Sequence, residues 1–196
     1  MTPRRFLKLD DMDLFVYDNL IDDNIILAIE RQVRHARYSS RHSSSLRSQQ
    51  FREWAGHFDV EDFLSHPVCF AAHQGLTSLY PGVNFELWDV HCNNTIFGDW
   101  AFAHRDSLEL GEYSALYYAN FQWDPDWYGE TVFFSQGEPV VSISTRPGRL
   151  VLFDSRIEHR AGVPATNCPE QRLTLSLRFA ADKVGTCSID MCPEIF

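Results

Sequence analysis

The hydrophobic pattern divides the chain into a first part with helical periodicity and a second part with strand periodicity. A short strand over residues 12–21 is followed by a stretch from Asp23 to about Arg37 in which apolar residues recur every four positions, which predicts an amphipathic helix. Pro67 fits the first turn of a second helix, which ends near Gly82. We therefore expect residues 1 to about 82 to form a helical support.

After Gly82, short aromatic and β-branched runs alternate with Gly, Pro, Asp and Asn about every ten residues, a pattern typical of strands. The candidate strands are 83–92, 98–104, 114–121, 130–134, 139–144, 149–153, 157–163 and 171–180. In the last one, leucines from Leu173 to Leu177 share one face, while Arg172 and Thr174 share the other. These eight strands predict a mainly β fold, a double-stranded β-helix or jelly roll over about 83–180, with the N-terminal helices packed on one sheet.

Composition and charge limit the class of protein. A chain of 196 residues that is 44% hydrophobic and 22% charged is typical of one globular domain, here 1–196, with a C-terminal tail (181–196) that shows no clear pattern. Its net charge of −10 argues against a nucleic-acid partner. No apolar run approaches membrane-spanning length and no signal sequence is evident, so we expect no membrane contact and a cytoplasmic location. The sequence leaves the oligomeric state open.

One local stretch reverses this acidic balance. Residues 31–52 contain six arginines and no acidic residue, and the serine-rich part, 38–50, is predicted to be a mobile loop. The arginines are Arg31, Arg34, Arg37, Arg41, Arg47 and Arg52. One interpretation is a lid, over about 38–58, that receives an anionic or carrier-tethered substrate. The alternative is a solvated helix face.

His104 and Asp106 flank a single residue at the end of a predicted strand, so their side chains share a face and can converge on one ion. His159 lies 53 residues further on and is a candidate third ligand. Two imidazoles and one carboxylate form the facial triad of non-haem Fe(II) sites, which leaves coordination positions open. The triplet alone is weak evidence, because a surface histidine beside an acidic turn has the same pattern.

Arg172 follows His159 by 13 residues and faces inward with Thr174. A buried guanidinium needs a partner, and its planar fork suits a carboxylate. That partner is either a dicarboxylate ligand or a structural carboxylate, Glu158 or Glu170.

Several ordered motifs between about residues 80 and 180 resemble the 2-oxoglutarate- and Fe(II)-dependent oxygenases, in particular the prolyl-4-hydroxylase-like branch. They are His104-Arg105-Asp106, Ala115-Leu116-Tyr117-Tyr118-Ala119-Asn120 followed by Trp123 and Gly129-Glu130-Thr131, Pro147-Gly148-Arg149-Leu150-Val151-Leu152-Phe153 leading to His159, and Arg172-Leu173-Thr174. The stretch Val16-Tyr17-Asp18-Asn19-Leu20 before the first helix is similar to the same branch. The sequence departs from the branch at the Gly-Gly-Glu turn, which reads Tyr128-Gly129-Glu130 here.

The resemblance implies a role for each matching residue. His104, Asp106 and His159 match the iron ligands and therefore the catalytic centre. Arg172 matches the residue that binds the distal carboxylate of 2-oxoglutarate, and Thr174 matches a hydroxyl residue that supports it. Tyr118 matches a tyrosine that reaches the same carboxylate, although a one-residue change of strand register would put Tyr117 there instead.

The resemblance also implies an activity. Fe(II), 2-oxoglutarate and O2, with ascorbate as a supporting reductant, would hydroxylate an unactivated C–H bond and release succinate and CO2. The substrate would be a small molecule, such as an amino acid or a biosynthetic intermediate, or a peptide. Asp106 favours hydroxylation because halogenating relatives have Gly or Ala at this position, although desaturation or ring formation can start from the same chemistry. The alternatives are a catalytically silent jelly-roll binding module and a zinc hydrolase or cupin-type enzyme, which would give Arg172 no role.

A few other residues have two interpretations each. Trp100 and Phe102 share the parity of His104 and either form a wall of the pocket or pack in the core. His91 and Asn93 have the parity to contact substrate or co-substrate. The remaining histidines show no partner pattern and are expected to be solvated or to cap helices; they are His35, His42, His57, His66 and His73.

Overall fold

The computed structural model describes residues 1–42 and 53–182, and within them the chain forms two antiparallel sheets and three α-helices. The strands are β1 (Arg5–Leu9), β2 (Met12–Tyr17), β3 (Ser39–His42), β4 (Glu53–His57), β5 (Phe85–Thr95), β6 (Glu112–Tyr118), β7 (Thr131–Ser135), β8 (Glu138–Ile143), β9 (Leu150–Asp154), β10 (His159–Arg160) and β11 (Arg172–Ala181). The helices are α1 (Asp23–Arg34), α2 (Val60–Phe63) and α3 (Pro67–Leu79), with a 3-10 turn at Pro125–Trp127.

The larger sheet has the strand order β1-β2-β9-β6-β11-β5-β4-β3, and the smaller has the order β10-β7-β8. One face of the larger sheet packs against the helices, and Val33 of α1, Leu76 of α3 and the leucines of β11 belong to the same core cluster. The other face packs against the smaller sheet through residues such as Phe133 and Phe153. This layering confirms the predicted mainly β jelly-roll fold with helices on one sheet.

Strand β11 carries the alternation that the sequence predicted. Leu173, Leu175 and Leu177 are buried in the core beneath the helices, whereas Arg172 and Thr174 are buried on the face toward the smaller sheet. Because the side-chain period of a strand is two residues, one strand supplies an apolar face and a polar interior face at once.

A bulge interrupts the pairing of β11 with β5. Arg178 pairs with Asp89 and Phe179 pairs with Leu87, so Trp88 has no partner of its own on β11. Leu87 and Val90, three residues apart, both belong to the core beneath the helices. The bulge therefore turns Trp88 and Asp89 together toward the opposite face, as bulges next to functional sites commonly do.

The helices follow the sequence pattern with small shifts. Asp22 is the N-cap residue of α1, although its side chain makes no capping hydrogen bond, and the helix ends at Arg34 instead of Arg37. The buried positions of α1 are Ile26, Ile29 and Val33. Pro67 stands in the first turn of α3.

Three sequence-based predictions about elements are wrong. Residues 98–104 are not a strand, because Gly98, with a φ of 89°, and a hydrogen bond from Asp99 N to Ile96 O turn the chain just after β5. The segment 1–82 is not only helical, since β1 to β4 extend both ends of the larger sheet. Residues 39–42 and 53–57, predicted to lie in a loop or lid, form antiparallel strands, because backbone pairing satisfies their N–H and C=O groups whatever the side-chain composition.

The proposed arginine lid is only partly within the described residues. Arg47, Arg52 and the side chain of Arg41 lie outside them. Arg34 pairs with Glu30 at 2.8 Å and with Glu170 at 2.7 Å, which offsets part of the positive charge of this stretch. In the described parts of the chain, no helix combines the length and apolar character that crossing a membrane requires.

Candidate metal centre

Two backbone hydrogen bonds hold the segments that carry the candidate ligands side by side. The N–H of His104 donates to the carbonyl of His159, and the N–H of His159 donates to the carbonyl of His104, both at 2.9 Å. Asp106 N donates to Ser155 O at 3.0 Å. This local ladder brings the three residues together although 53 positions separate Asp106 from His159 in the sequence.

The side chains converge on one point. Asp106 Oδ1 lies 3.4 Å from Nε2 of His104 and 3.6 Å from Nε2 of His159. The Nδ1 atoms of the two imidazoles face the carbonyl oxygens of Phe102 and Ile157, at 2.9 and 3.0 Å. A carbonyl only accepts, so each Nδ1 carries the proton and each Nε2 presents its lone pair to the centre.

Asp106 Oδ1 is buried and, among the described residues, has no hydrogen-bond partner. An unpaired carboxylate oxygen in the interior is costly unless a cation completes its environment. One ligand atom from each of the three residues lies within 4.8 Å of the others, a set that a divalent ion can draw together. The three residues predicted as ligands thus fit a metal.

The charges in the centre suit metal binding. Burial by itself would raise the pKa of Asp106, but the Arg178 guanidinium and the two histidines outweigh it and hold the pKa far below its usual range. Burial lowers the pKa of His159 to about 4. Burial also acts to lower the pKa of His104, but the adjacent Asp106 carboxylate reverses that effect and raises it. The carboxylate is therefore ionised, and His159 is neutral, near pH 7.

Arg178, to which the sequence assigned no role, contacts the candidate centre directly. Its Nη1 donates to Asp106 Oδ2 and, at 2.8 Å, to Ser114 Oγ, which itself donates to Asp106 Oδ2 at 2.7 Å. Arg178 and Ser114 thus fix one carboxylate oxygen and leave Oδ1 facing the imidazoles. The sequence feature that pointed to Arg178 was its position an even number of residues after Arg172, which puts both side chains on the same face of β11.

Arg172 is 1% exposed and is held on three sides. Its Nε donates to Gly129 O at 2.7 Å, Nη1 to Thr174 Oγ1 at 2.8 Å, and Nη2 to Thr131 Oγ1 at 2.9 Å. These partners are neutral, and among the described residues no carboxylate lies within ion-pair distance of this guanidinium.

The two carboxylates weighed as structural partners of Arg172 are engaged elsewhere. Glu158 lies 3.7 Å from Arg105, and Glu170 lies 2.7 Å from Arg34. The structural salt bridge is therefore not the arrangement that the chain adopts.

Strand register places Tyr118, and not Tyr117, beside Arg172. Tyr118 pairs with Thr174, and the guanidinium carbon of Arg172 lies 5.3 Å from the centre of its ring. Its hydroxyl donates to Thr131 Oγ1 at 2.7 Å. Tyr117 is buried in the core beneath the helices. Thr131, which contacts both Arg172 and Tyr118, was missed as a site residue; its place directly after the Gly-Glu turn was the available signal.

No family model matches this chain, and no curated protein matches it in sequence. Solved structures do match it in fold. A prolyl-4-hydroxylase from Pseudomonas putida covers 85% of this chain, and 91% of it is covered, at 16% identity and a TM-score of 0.60. The chain has the fold of the 2-oxoglutarate- and Fe(II)-dependent oxygenases.

Two further solved structures with this fold contain a bound peptide or a bound metal with 2-oxoglutarate. A Trichoplax adhaerens prolyl hydroxylase in complex with a hypoxia-inducible-factor peptide fragment has 16% identity, covers 85% of this chain and 83% of its own, and has a TM-score of 0.63. HygX from Streptomyces hygroscopicus, with nickel and 2-oxoglutarate bound, has 10% identity, covers 85% and 82%, and has a TM-score of 0.59.

In this oxygenase fold, the turn at Tyr128-Gly129 positions Arg172. Gly129 has a φ of 86°, and a Cβ there would lie 3.1 Å from Arg172 Cδ and 3.2 Å from Trp123 Cζ2. Its carbonyl accepts from both Arg172 Nε and Thr145 Oγ1. Tyr128, where the branch has glycine, has a φ of 59° and a ψ of −140°, a region that disfavours side chains.

A cavity of about 260 Å³ opens beside the candidate metal centre. Its lining includes the residues singled out from the sequence as possible contacts, and these are Trp100, Phe102, His91 and Asn93. The bulge residues Trp88 and Asp89 line it as well. Arg172 does not line this cavity and lies deeper between the sheets.

Proposed function

We propose that this protein is a non-haem Fe(II), 2-oxoglutarate-dependent dioxygenase in which His104, Asp106 and His159 hold the iron. The observation that carries the proposal is the ionised, buried Asp106 carboxylate, whose unpaired Oδ1 faces two Nε2 lone pairs. This donor set matches the facial triad of non-haem iron, which leaves positions for a co-substrate and oxygen.

Arg172 is proposed to bind the distal carboxylate of 2-oxoglutarate, supported by Thr174 and Tyr118. The fully buried guanidinium is hydrogen-bonded by neutral partners and has no ion-pair partner among the described residues, and a dicarboxylate would supply one with bidentate geometry. Binding in the interior requires that the hydrogen bonds around Thr131 rearrange to admit the carboxylate.

Bound iron, with 2-oxoglutarate and O2, supplies an oxidant that hydroxylates an unactivated C–H bond, and succinate and CO2 are released. The chain contributes binding and orientation: Arg178 and Ser114 hold the Asp106 carboxylate, and the aromatic side chains at the cavity exclude water around the reacting bond. The substrate is proposed to be a small molecule or a peptide. A cavity of about 260 Å³ suits a small molecule or one side chain, and the peptide complex of the Trichoplax relative supports the second choice.

The decisive experiment is an anaerobic titration with Fe(II) and 2-oxoglutarate, followed through the visible charge-transfer band of an iron-chelated 2-oxo acid. The band is expected in the wild type, absent in His104→Ala, and shifted to higher 2-oxoglutarate concentration in Arg172→Gln. His73→Ala, a histidine of α3 outside the site, is the matched control and should behave as the wild type.

The absence of the band in a folded, metal-loaded wild type would overturn the proposal. Turnover of a substrate without 2-oxoglutarate would point instead to the zinc- or cupin-type enzyme. Metal binding with no succinate release across a broad panel of amino acids, biosynthetic intermediates and peptides would favour a silent binding module.

A further inference from the structure

We propose that His57, Asp89 and His91 form a second site for a divalent transition-metal ion at the edge of the cavity. One ligand atom from each residue lies within 4.8 Å of the others. Asp89 Oδ2 lies 2.9 Å from His91 Nδ1, and Asp89 Oδ1 lies 3.9 Å from His57 Nδ1. The carboxylate thus presents one oxygen to each imidazole.

Sheet geometry builds this cluster without any long loop. His57 on β4 pairs directly with His91 on β5, and the centres of their rings are 5.4 Å apart. Asp89 lies two residues before His91, and the bulge opposite Arg178 turns it to the cavity face. A cross-strand imidazole pair with a carboxylate on the same face is a compact chelating arrangement on a rigid support.

The three side chains differ in exposure in a way that suits an open coordination site. His91 is 5% exposed and is fixed by packing, Asp89 is 29% exposed, and His57 is 57% exposed. Two imidazoles and one carboxylate supply three ligands to a divalent transition-metal ion and leave a fourth position for water or another oxygen ligand. That fourth position would lie on the solvent side, beside the exposed His57.

The local charge favours a cation. Asp89 Oδ2 accepts a hydrogen bond from His91 Nδ1 at 2.9 Å, and its other oxygen, Oδ1, faces His57 Nδ1 at 3.9 Å. The positive charge of Arg178 is matched by Asp106, with which it forms an ion pair. An incoming cation therefore meets an available anion at Asp89.

The second site shares no ligand with the first. Asp89 and His91 line the same cavity as His104 and Asp106, so an ion held by the second site would stand at the cavity wall. The two triads are therefore separable by mutation although they border one space.

The test counts Co2+ ions bound to the full chain, by calorimetry and by metal analysis after desalting. The wild type is expected to bind two equivalents of Co2+, and the double variant His104→Ala/His159→Ala is expected to bind one. Adding His57→Ala to that double variant should remove the remaining ion or weaken its binding by at least about tenfold, as loss of a direct ligand exceeds the usual effect of losing an outer partner. His73→Ala is the matched control and should retain two ions.

The absorption of bound Co2+ distinguishes this site from adventitious binding by the cysteines. Nitrogen and oxygen ligands give no intense near-ultraviolet thiolate band, so the appearance of that band for the second ion would overturn the assignment. Equal binding in the triple and double variants would overturn it as well.

The exposed His57 can be replaced without disturbing the core, and Asp89→Asn offers a second, nearly isosteric change. His57→Ala alone should leave the iron and 2-oxoglutarate charge-transfer band unchanged. If His104, Asp106 and His159 bind no metal, the wild type should bind one Co2+, and His57→Ala should lose it. The two proposals can therefore fail independently.

Discussion

At the scale of single residues, the site depends on how one carboxylate is oriented. Two donors, Arg178 and Ser114, occupy Asp106 Oδ2, and this leaves Oδ1 toward the imidazoles. Partners behind a metal ligand fix its direction and its charge, and their loss commonly weakens metal binding by about 10–100-fold.

Replacement of Arg178 by methionine is therefore expected to lower the affinity of the metal centre for Fe(II) by about 10–100-fold, because Asp106 loses its charged partner and its fixed orientation. The affinity is measured by anaerobic titration with Fe(II) at saturating 2-oxoglutarate. Arg156→Met, which breaks the ion pair with Asp154, is the matched control and should leave the affinity unchanged. Equal affinities in the two variants would contradict the role of Arg178.

Gly129 presents a second test at this scale. In Gly129→Ala the new Cβ would lie 3.1 Å from Arg172 Cδ, in a backbone conformation that favours glycine, so Arg172 must move. We expect 2-oxoglutarate to bind about tenfold more weakly, equivalent to about 1.4 kcal/mol, as measured by the charge-transfer titration.

Gly137→Ala is the matched control for this change. Gly137 has a φ of 80°, close to that of Gly129, and a Cβ there would meet nothing within 4 Å. Both variants should lose about 1 kcal/mol of stability from backbone strain, and Gly129→Ala alone should lose 2-oxoglutarate affinity. The same loss of affinity in both would show that backbone strain, and not contact with Arg172, is responsible.

At the scale of elements, the turn before β7 is strained at the position where the sequence departs from the oxygenase branch. Tyr128 stands where the oxygenase branch has glycine, and it adopts a φ of 59° with a ψ of −140°. Its carbonyl accepts from Trp123 Nε1 at 2.9 Å, which helps to hold the turn in this conformation.

Tyr128→Gly is expected to stabilise the fold by about 1 kcal/mol, because glycine removes the conformational strain, and to raise Tm by roughly 2–4 °C. Thermal unfolding followed by circular dichroism measures the change. Tyr128→Ala separates the loss of the ring from the relief of the backbone and should not stabilise. A destabilised Tyr128→Gly would mean that the tyrosine ring contributes more than the strain costs.

Helix α3 has a titratable cap. His66 Nδ1 accepts from Val68 N at 3.3 Å, and Nε2 lies 3.3 Å from Gln32 Oε1, so the neutral ring donates with one nitrogen and accepts with the other. The ring also stacks on Phe63, with 4.0 Å between ring centres. Burial lowers the pKa of His66 to about 4, from an ordinary value of 6.5.

Since the folded pKa is the lower of the two, the unfolded chain binds a proton at His66 that the folded chain does not bind between pH 6.5 and 4. The contribution of neutral His66 to the free energy of unfolding is therefore fully present above about pH 6.5 and is lost as the pH falls toward 4. The loss should be about 1 kcal/mol, since the ring is partly exposed and solvent screens it.

His66→Asn tests this pH dependence, because the asparagine oxygen keeps the cap without titrating. The difference between the free energies of unfolding of wild type and His66→Asn, measured in urea at several pH values, should shrink or reverse from pH 7 to pH 4.5. A difference that does not change with pH would contradict the prediction.

At the scale of the whole molecule, the proposed iron ligands and the proposed 2-oxoglutarate residues lie on different sheets, so bound iron and 2-oxoglutarate would connect the two sheets. His159 lies on β10 of the smaller sheet, and Arg172 lies on β11 of the larger one. Phe133 of the smaller sheet packs against Phe153 of the larger sheet, and both rings lie near His159. Ligands that bind across this interface should therefore stabilise the packing of the sheets as a unit.

We expect a redox-stable ion such as Mn2+, together with 2-oxoglutarate at about 100 times its Kd, to add about 2.7 kcal/mol of stability. This corresponds to a rise in Tm of roughly 5–10 °C, measured by scanning calorimetry. His159→Ala should show no such rise. Equal stabilisation by Mn2+ alone would indicate that 2-oxoglutarate does not bind across the sheets.

The sequence by itself predicted the fold class, which the structure confirms, and it singled out His104, Asp106 and His159 as the proposed metal ligands. It also predicted that Arg172 and Thr174 share the inward face of β11, because side chains along a strand alternate between its two faces. The start of α3 at Pro67 was a local signal of the same kind.

Only the tertiary structure decided which residues meet across strands. The register of β6 on β11 chose Tyr118 over Tyr117, and pairing at the sheet edges made strands of β1, β3 and β4. The bulge that turns Asp89 toward the cavity, and the contact of Arg178 with Asp106, arise between strands far apart in sequence. Such pairings depend on the packing of whole sheets, and a local pattern cannot specify them because every register satisfies the same two-residue alternation.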